Sequence, residues 1–159
     1  MIEVNILADA YTIEQVKEKI TSAFSSEEVK ILDKTRPRQI YMEADKDAIL
    51  KLCTFLKDEL NFEHCSCVSG VDRIDRFQVV YHITSYANSI MVEIVVDLPH
   101  DNPEIDTISL LWGGANWHER EAYDMYGIIF KNHPKLERIL LDESVQFFPM
   151  RKDFKSGGL

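Results

Sequence analysis

The chain has 159 residues, 45% of them hydrophobic and 28% charged, which suits one globular domain with a core of its own. Its formal net charge of -9 argues against a surface for nucleic-acid phosphates or anionic lipid headgroups, both of which require clustered cations. No apolar run approaches the roughly 20 residues that span a bilayer.

The start carries Glu3 and Asp9 and no basic leader segment, so no secretory signal is expected. Thr12 opens a helix with Gln15 at the capping-box position, and Ile13, Val16, Ile20 and Phe24 form its apolar stripe. Ser25-Ser26-Glu27-Glu28 breaks it. Val29 to Leu32 and Gln39 to Met42 read as short strands around the Arg36-Pro37 turn. Asp45 caps a second helix, where Ile49, Leu52, Cys53, Leu56 and Leu60 recur at helical spacing.

From Cys65 the period switches to two. Phe77, Val79, Tyr81 and Ile83 alternate with Gln78, His82 and Thr84, Val80 breaking the polar face, and Ile90, Val92, Ile94 and Val96 alternate with Glu93 and Asp97. The short linker from Ser85 to Ser89 predicts an antiparallel hairpin. A strand through Cys67-Val68-Ser69 joins it by a turn at Asp72 to Asp75. Pro99 and Pro103 end the sheet, and a short helix from Glu104 to Leu111 is expected next. The fold class is α+β: a mainly antiparallel sheet with flanking helices, then a two-sided helix and an extended C-terminal tail. Residues 1–141 read as a single domain and 142–159 as a partner-docking tail, its end at Ser156-Gly157-Gly158-Leu159 mobile.

The two-sided helix runs from about Trp117 to Tyr126. Asn116 is the expected N-cap, Glu119 completes a capping box, and Gly127 supplies the left-handed residue that ends it. On a helical wheel Ala122, Met125 and Tyr126 share a face with His118. Trp117, Arg120, Glu121 and Asp124 form the opposite stripe, with Arg120 and Asp124 an i,i+4 pair. Bulky rings on both faces place this helix between two bodies.

Familiar cofactor chemistry is not written in the chain. His118-Glu119 is followed by Ala122 where a zinc protease would carry its second histidine, and His64, His82, His100 and His133 lack ligand spacing. Cys65-x-Cys67 is too little for an iron–sulfur cluster, and strand alternation places both thiols on one sheet face. The three cysteines are an odd count, which points to reduced thiols and a cytoplasmic setting. There is no phosphate-binding glycine loop and no nucleophile elbow. No cofactor, metal or catalytic residue is expected. Beyond Leu141, Phe147, Phe148 and Phe154 follow no period, and Arg151-Lys152 gives the segment a local positive charge.

Three motifs stand in order: W-x-E-R-E-x-x-D-x-x-G from Trp117, H-P-x-L-x-R-I-L from His133, and P-x-R-K-D-F from Pro149. Together they resemble the C subunit of complex I, the small hydrophilic subunit of respiratory NADH dehydrogenases. The family extends to deazaflavin-dependent dehydrogenases and membrane-bound hydrogenases. The resemblance implies a subunit without catalytic residues or cofactor, in the peripheral arm of an ion-translocating redox complex on the cytoplasmic side of the membrane. Its implied partners are a large subunit related to nickel–iron hydrogenases and neighbouring iron–sulfur subunits. The motif residues carried over are Trp117, Glu119, Arg120, Glu121, Asp124, Gly127, His133, Pro134, Arg138, Arg151, Lys152 and Asp153, with structural and interfacial roles implied. The chain departs from the pattern at Gln146-Phe147-Phe148-Pro149, where relatives more often carry Gly-His-Pro. The competing readings are a free-standing acid–base enzyme using Glu119, Asp124 and His118, and a soluble adaptor with no redox partner.

Overall fold

A computed structural model describes residues 10–155, so the readings placed on Glu3, Asp9 and the 156–159 end lie outside the described residues. Helix α1 (Ile13–Ala23) opens with the expected capping box: Gln15 N–H donates to the Thr12 hydroxyl, and Thr12 N–H to the Gln15 side chain. Strands β1 (Val29–Arg36) and β2 (Gln39–Ala44) turn through Pro37 and Arg38, the latter at φ 62°, beyond the expected strand ends. Helix α2 (Ile49–Leu60) begins three residues later than expected. Asp45 does not cap it but makes the turn before it, accepting Asp47 N–H at 2.9 Å.

Then come β3 (His64–Asp72), β4 (Arg76–Ser85) and β5 (Ile90–Pro99), a meander in which β4 pairs antiparallel with both neighbours. The sheet order is β1-β2-β5-β4-β3, and β2 joins β5 in parallel. That single parallel seam is the one departure from antiparallel pairing in this sheet. Inward rows from β4 (Phe77, Val79, Tyr81, Ile83) and β5 (Val92, Ile94, Val96) lie in one core with Val16 and Ile20 of α1 and Leu52, Cys53, Leu56 and Leu60 of α2. Each large side chain there contributes about 1.5–3 kcal/mol of burial.

Two expectations fail for identifiable reasons. Cys65 and Cys67 do not share a face. Cys65 pairs with Ile83 and Cys67 with His82, so Ser66 is an extra residue on β3, and this bulge reverses the alternation. Cys65 is buried, while Cys67 turns outward and shares a hydrogen bond with Ser69. The helix expected from Glu104 to Leu111 is instead β6 (Glu104–Asp106), which pairs in parallel with β7 (Ile129–Lys131), followed by a tight turn. Pairing with a distant partner has overridden local propensity.

Helix α3 (Ala115–Tyr126) lies along β3. Gly70 allows this approach: a Cβ there would sit 2.6 Å from the Tyr126 ring. Gly70→Ala should therefore destabilise the fold by about 1–3 kcal/mol, the usual effect of overpacking. In a Tyr126→Leu background the same change should cost markedly less. Denaturant titration of the four proteins gives the coupling, and independent effects would mean that Tyr126 does not restrict Gly70.

Candidate functional site

The entry to α3 is held from outside the helix. The Trp112 indole N–H donates to Phe62 O at 3.1 Å and Lys57 Nζ to Leu111 O at 2.6 Å, fastening the turn before α3 to the end of α2. Gly114 stands at the N-cap with no side-chain cap, so Asn116 and Glu119 do not form the expected capping box. Glu119 is fully buried and points away from the helix start. Its Oε1 accepts Ile108 N–H at 2.8 Å and its Oε2 binds the Thr107 hydroxyl, which shares a second bond with Ser109.

The His133 ring faces the same carboxyl group, Nε2 lying 3.7 Å from Oε2 and 3.3 Å from Asn116 O. Its Nδ1 accepts Lys135 N–H, so Nε2 carries the hydrogen of the neutral ring. Burial pushes the Glu119 pKa up to about 7 against the opposing pull of the Thr107 and Ile108 donors. Burial likewise lowers that of His133, with the Arg120 charge in the same direction. Thr107 and Ser109 escaped the sequence reading because their stretch read as a helix.

Asp124 occupies the far side of α3 and is also fully buried. Its Oδ2 accepts the successive backbone N–H groups of Ile139, Leu140 and Leu141 at 3.0, 2.7 and 3.1 Å. Its Oδ1 receives Arg138 Nη1 at 2.6 Å. Burial alone would raise this carboxyl's pKa; the Leu140 N–H, Arg138 and the two neighbouring N–H groups outweigh it and hold it below the ordinary value. The expected Arg120–Asp124 pair is not made. Asp124 turns under the segment that follows β7, where Arg138 offers Nη1 and the backbone three further donors. Arg120 instead donates to Glu137 O and Arg138 O, with its guanidinium over the Trp117 ring.

Helix α3 therefore does lie between two bodies, and the second is the chain's own C-terminal segment. Arg138 ties it further, donating to Val145 O and Phe147 O. Arg151 lies between the Phe77 and Phe148 rings at 5.0 and 4.7 Å and donates to Tyr126 O at 2.7 Å. Lys152 N–H meets the Asp72 carboxylate at 2.8 Å, a contact that no period in the sequence announced. Phe148 packs edge-on against Tyr123, while Phe147 and Phe154 stack on each other with Phe147 exposed. Gly127 ends α3 at φ 74°, as expected, and a Cβ there would meet Arg151 and Phe148 at 2.7 Å.

The remaining motif residues look outward. Trp117 is 63% exposed and Leu140 62%. Pro134 and Asp153 are exposed, and Glu121 stands at the rim of a cleft shared with Cys67, His118, Met125 and Met150. Glu119, Asp124 and His118 thus face three different surroundings, which removes the acid–base constellation of the enzyme reading. Among the described residues no group of three or more His, Cys, Asp or Glu side chains is placed to hold a metal ion, and no helix is long and apolar enough to cross a membrane.

The result is an α+β domain whose buried acids fasten its own chain and which leaves Trp117 and Phe147 exposed beside them. The family described as "Respiratory-chain NADH dehydrogenase, 30 Kd subunit" matches residues 42–158. The C subunit of the F(420)H(2) dehydrogenase of Methanosarcina mazei is 42% identical over 122 residues, 75% of this chain and 77% of that protein. The C subunit of the NADH-quinone oxidoreductase of Geobacter metallireducens is 36% identical over 124 residues, 76% of each chain. A trypsin-resistant fragment of Nqo5 superposes with a TM-score of 0.66 at 27% identity, covering 77% of this chain and 98% of the fragment. A chain of an archaeal membrane-bound sulfane sulfur reductase shares the fold, with a TM-score of 0.77 at 24% identity over 89% of this chain and 85% of its own. The chain belongs to the 30 kDa subunit family of the respiratory-chain NADH dehydrogenases.

Asp124→Asn leaves Arg138 buried without its counter-charge and removes one acceptor from the N–H cluster. We expect a loss of about 3–5 kcal/mol, as for other broken buried pairs. The stability that Asp124 confers is present above its ordinary value of 3.8 and is lost as pH falls through the lower folded value. The wild-type advantage over Asp124→Asn in denaturant melts should thus be full at pH 6 and shrink under strong acid. A pH-independent difference would show that the carboxylate's charge is not what matters.

Proposed function

We propose that this chain is a non-catalytic peripheral-arm subunit of a membrane-associated, ion-translocating redox complex. The complex is of the NADH–quinone or F420H2 dehydrogenase type, or that of a membrane-bound hydrogenase. In this reading the chain supports a hydrogenase-like large subunit and neighbouring iron–sulfur subunits on the cytoplasmic side, and so helps electron transfer toward the quinone site. Family membership supports the assembly, and the names of the relatives supply the complexes.

One observation supports the docking face: of the eight large apolar residues exposed among the described residues, Trp117, Leu140, Phe147 and Met150 stand on α3 or on the segment folded over it, while Leu50, Ile74, Tyr86 and Leu110 stand on other elements. A monomer gains nothing from displaying large apolar groups together, whereas an interface uses such residues as anchors. The tail from 142 onward then has two sides. Phe148 and Arg151 hold it to its own domain, and Phe147, Met150 and Phe154 face the partner. No step of the redox chemistry falls to this chain. Its part is to hold a surface in place.

The test is the double variant Trp117→Ala, Leu140→Ala, expressed with the neighbouring subunits of its complex. The melting transition of the isolated chain should move little, since both residues are largely exposed. Its affinity for the partner should fall at least about 30-fold, the equivalent of one hot spot lost. Undiminished co-purification would place the docking face elsewhere. Migration of the native wild-type chain as a lone species, with no partner captured, would overturn the subunit reading.

A further inference from the structure

Glu119 differs from Asp124 in its company. Its carboxyl group is sealed from solvent, yet no lysine or arginine among the described residues pairs with it, and the closest basic group is the neutral His133 ring. Cys53 of α2, Cys65 of β3 and Tyr81 of β4 face the same interior, and burial above all keeps all three protonated, so none of them offers a counter-charge. Arg120 acts on His133 against its becoming an imidazolium. A carboxylate held there has too little to compensate its desolvation.

The hydrogen bonds around Glu119 suit a neutral acid. Oε1 takes the Ile108 N–H as a carbonyl oxygen would. An O–H on Oε2 then donates to Thr107 Oγ1, which also accepts Ser109 N–H at 3.1 Å, and the Thr107 hydroxyl passes its own hydrogen to Ser109 Oγ at 2.7 Å. His133 Nε2–H goes to Asn116 O. The Glu119 and Thr107 hydroxyl hydrogens and the Ile108, Ser109 and His133 N–H groups then each have an acceptor.

We propose that Glu119 and His133 form a buried proton-binding site that holds one proton on the carboxyl group in mildly acidic solution and releases it around neutrality. The proton fastens residues 107–109 to α3 and keeps the 133–137 loop, whose Glu137 carbonyl receives Arg120, against the same helix. Losing it leaves a charge between these segments that only an imidazolium could balance, so the loop beneath Trp117 and Arg120 loosens as pH rises.

Infrared titration of the full chain tests this directly. A protonated-carboxylic-acid band should persist at pH 6, where ordinary acids are ionised, fade with a midpoint near neutrality, and vanish in Glu119→Gln. Nitrogen NMR should find His133 neutral with hydrogen on Nε2 at pH 6. The proton's contribution to stability is complete below pH 4.5, falls as pH rises, and is gone above the folded value of about 7. The unfolding constant of wild type relative to Glu119→Gln should therefore rise about 300-fold across that window, by the one-proton linkage relation. Absence of the band at pH 6, its survival in Glu119→Gln, or an imidazolium at His133 would overturn the proposal. The NMR measurement needs no variant, so it decides even if Glu119→Gln does not fold.

Discussion

The structure around α3 depends on one carboxylate. Among the described residues the segment after β7 has no ladder partner for its backbone, and N–H groups turned toward the protein need an acceptor there. Asp124 resolves this by gathering three successive N–H groups on a single oxygen, while Arg138 from the same segment neutralises the charge. The ion pair and the coil solve each other's desolvation. Once residues 138–141 are pinned, Arg138 reaches the carbonyls of Val145 and Phe147, Phe148 lies over it, and Arg151 fits beneath Phe148 onto the end of α3.

This divides the family motif by physical role. Asp124, Gly127, Arg138 and Arg151 are internal fastenings, each serving another. Gly127, for instance, leaves space that Arg151 and Phe148 occupy. Trp117, Glu121 and Asp153 meet solvent, and Arg120 links the two sets by stacking on Trp117 while bracing the carbonyls of the coil. Glu119 and Asp124 sit five residues apart with opposite electrostatic answers, one under-compensated and one over-compensated, so the same helix carries a proton on one flank and a charge on the other.

What was legible in the sequence was local. The Thr12 capping box, the hairpin of β4 and β5, the apolar stripes of α1 and α2 and the Gly127 stop all follow from periodicity and near neighbours. What was missed depends on distant partners. Glu104 to Asp106 is a strand only because Ile129 to Lys131 returns beside it. One inserted residue at Ser66 reversed a face that alternation had assigned. Arg120 and Asp124 have helical spacing for a pair, but a better-shaped donor arrives from fourteen residues downstream. The pairings of these side chains thus belonged to the tertiary fold and not to their spacing in the sequence.

The parallel seam between β2 and β5 has a consequence for assembly. All of α2, β3 and β4 lie between these strands in sequence, so the seam closes a long loop and gains nothing until the meander exists. The meander of β3, β4 and β5 needs only short connections and can form first, offering β5 as a template edge. The stretch comprising α1, β1 and β2 then arrives as a separable piece, attached to the sheet through one row of backbone bonds and the apolar stripe of α1. Such a piece is a natural foldon: it is the part of the core that can open while the α3 side, with its buried carboxyl groups, stays intact.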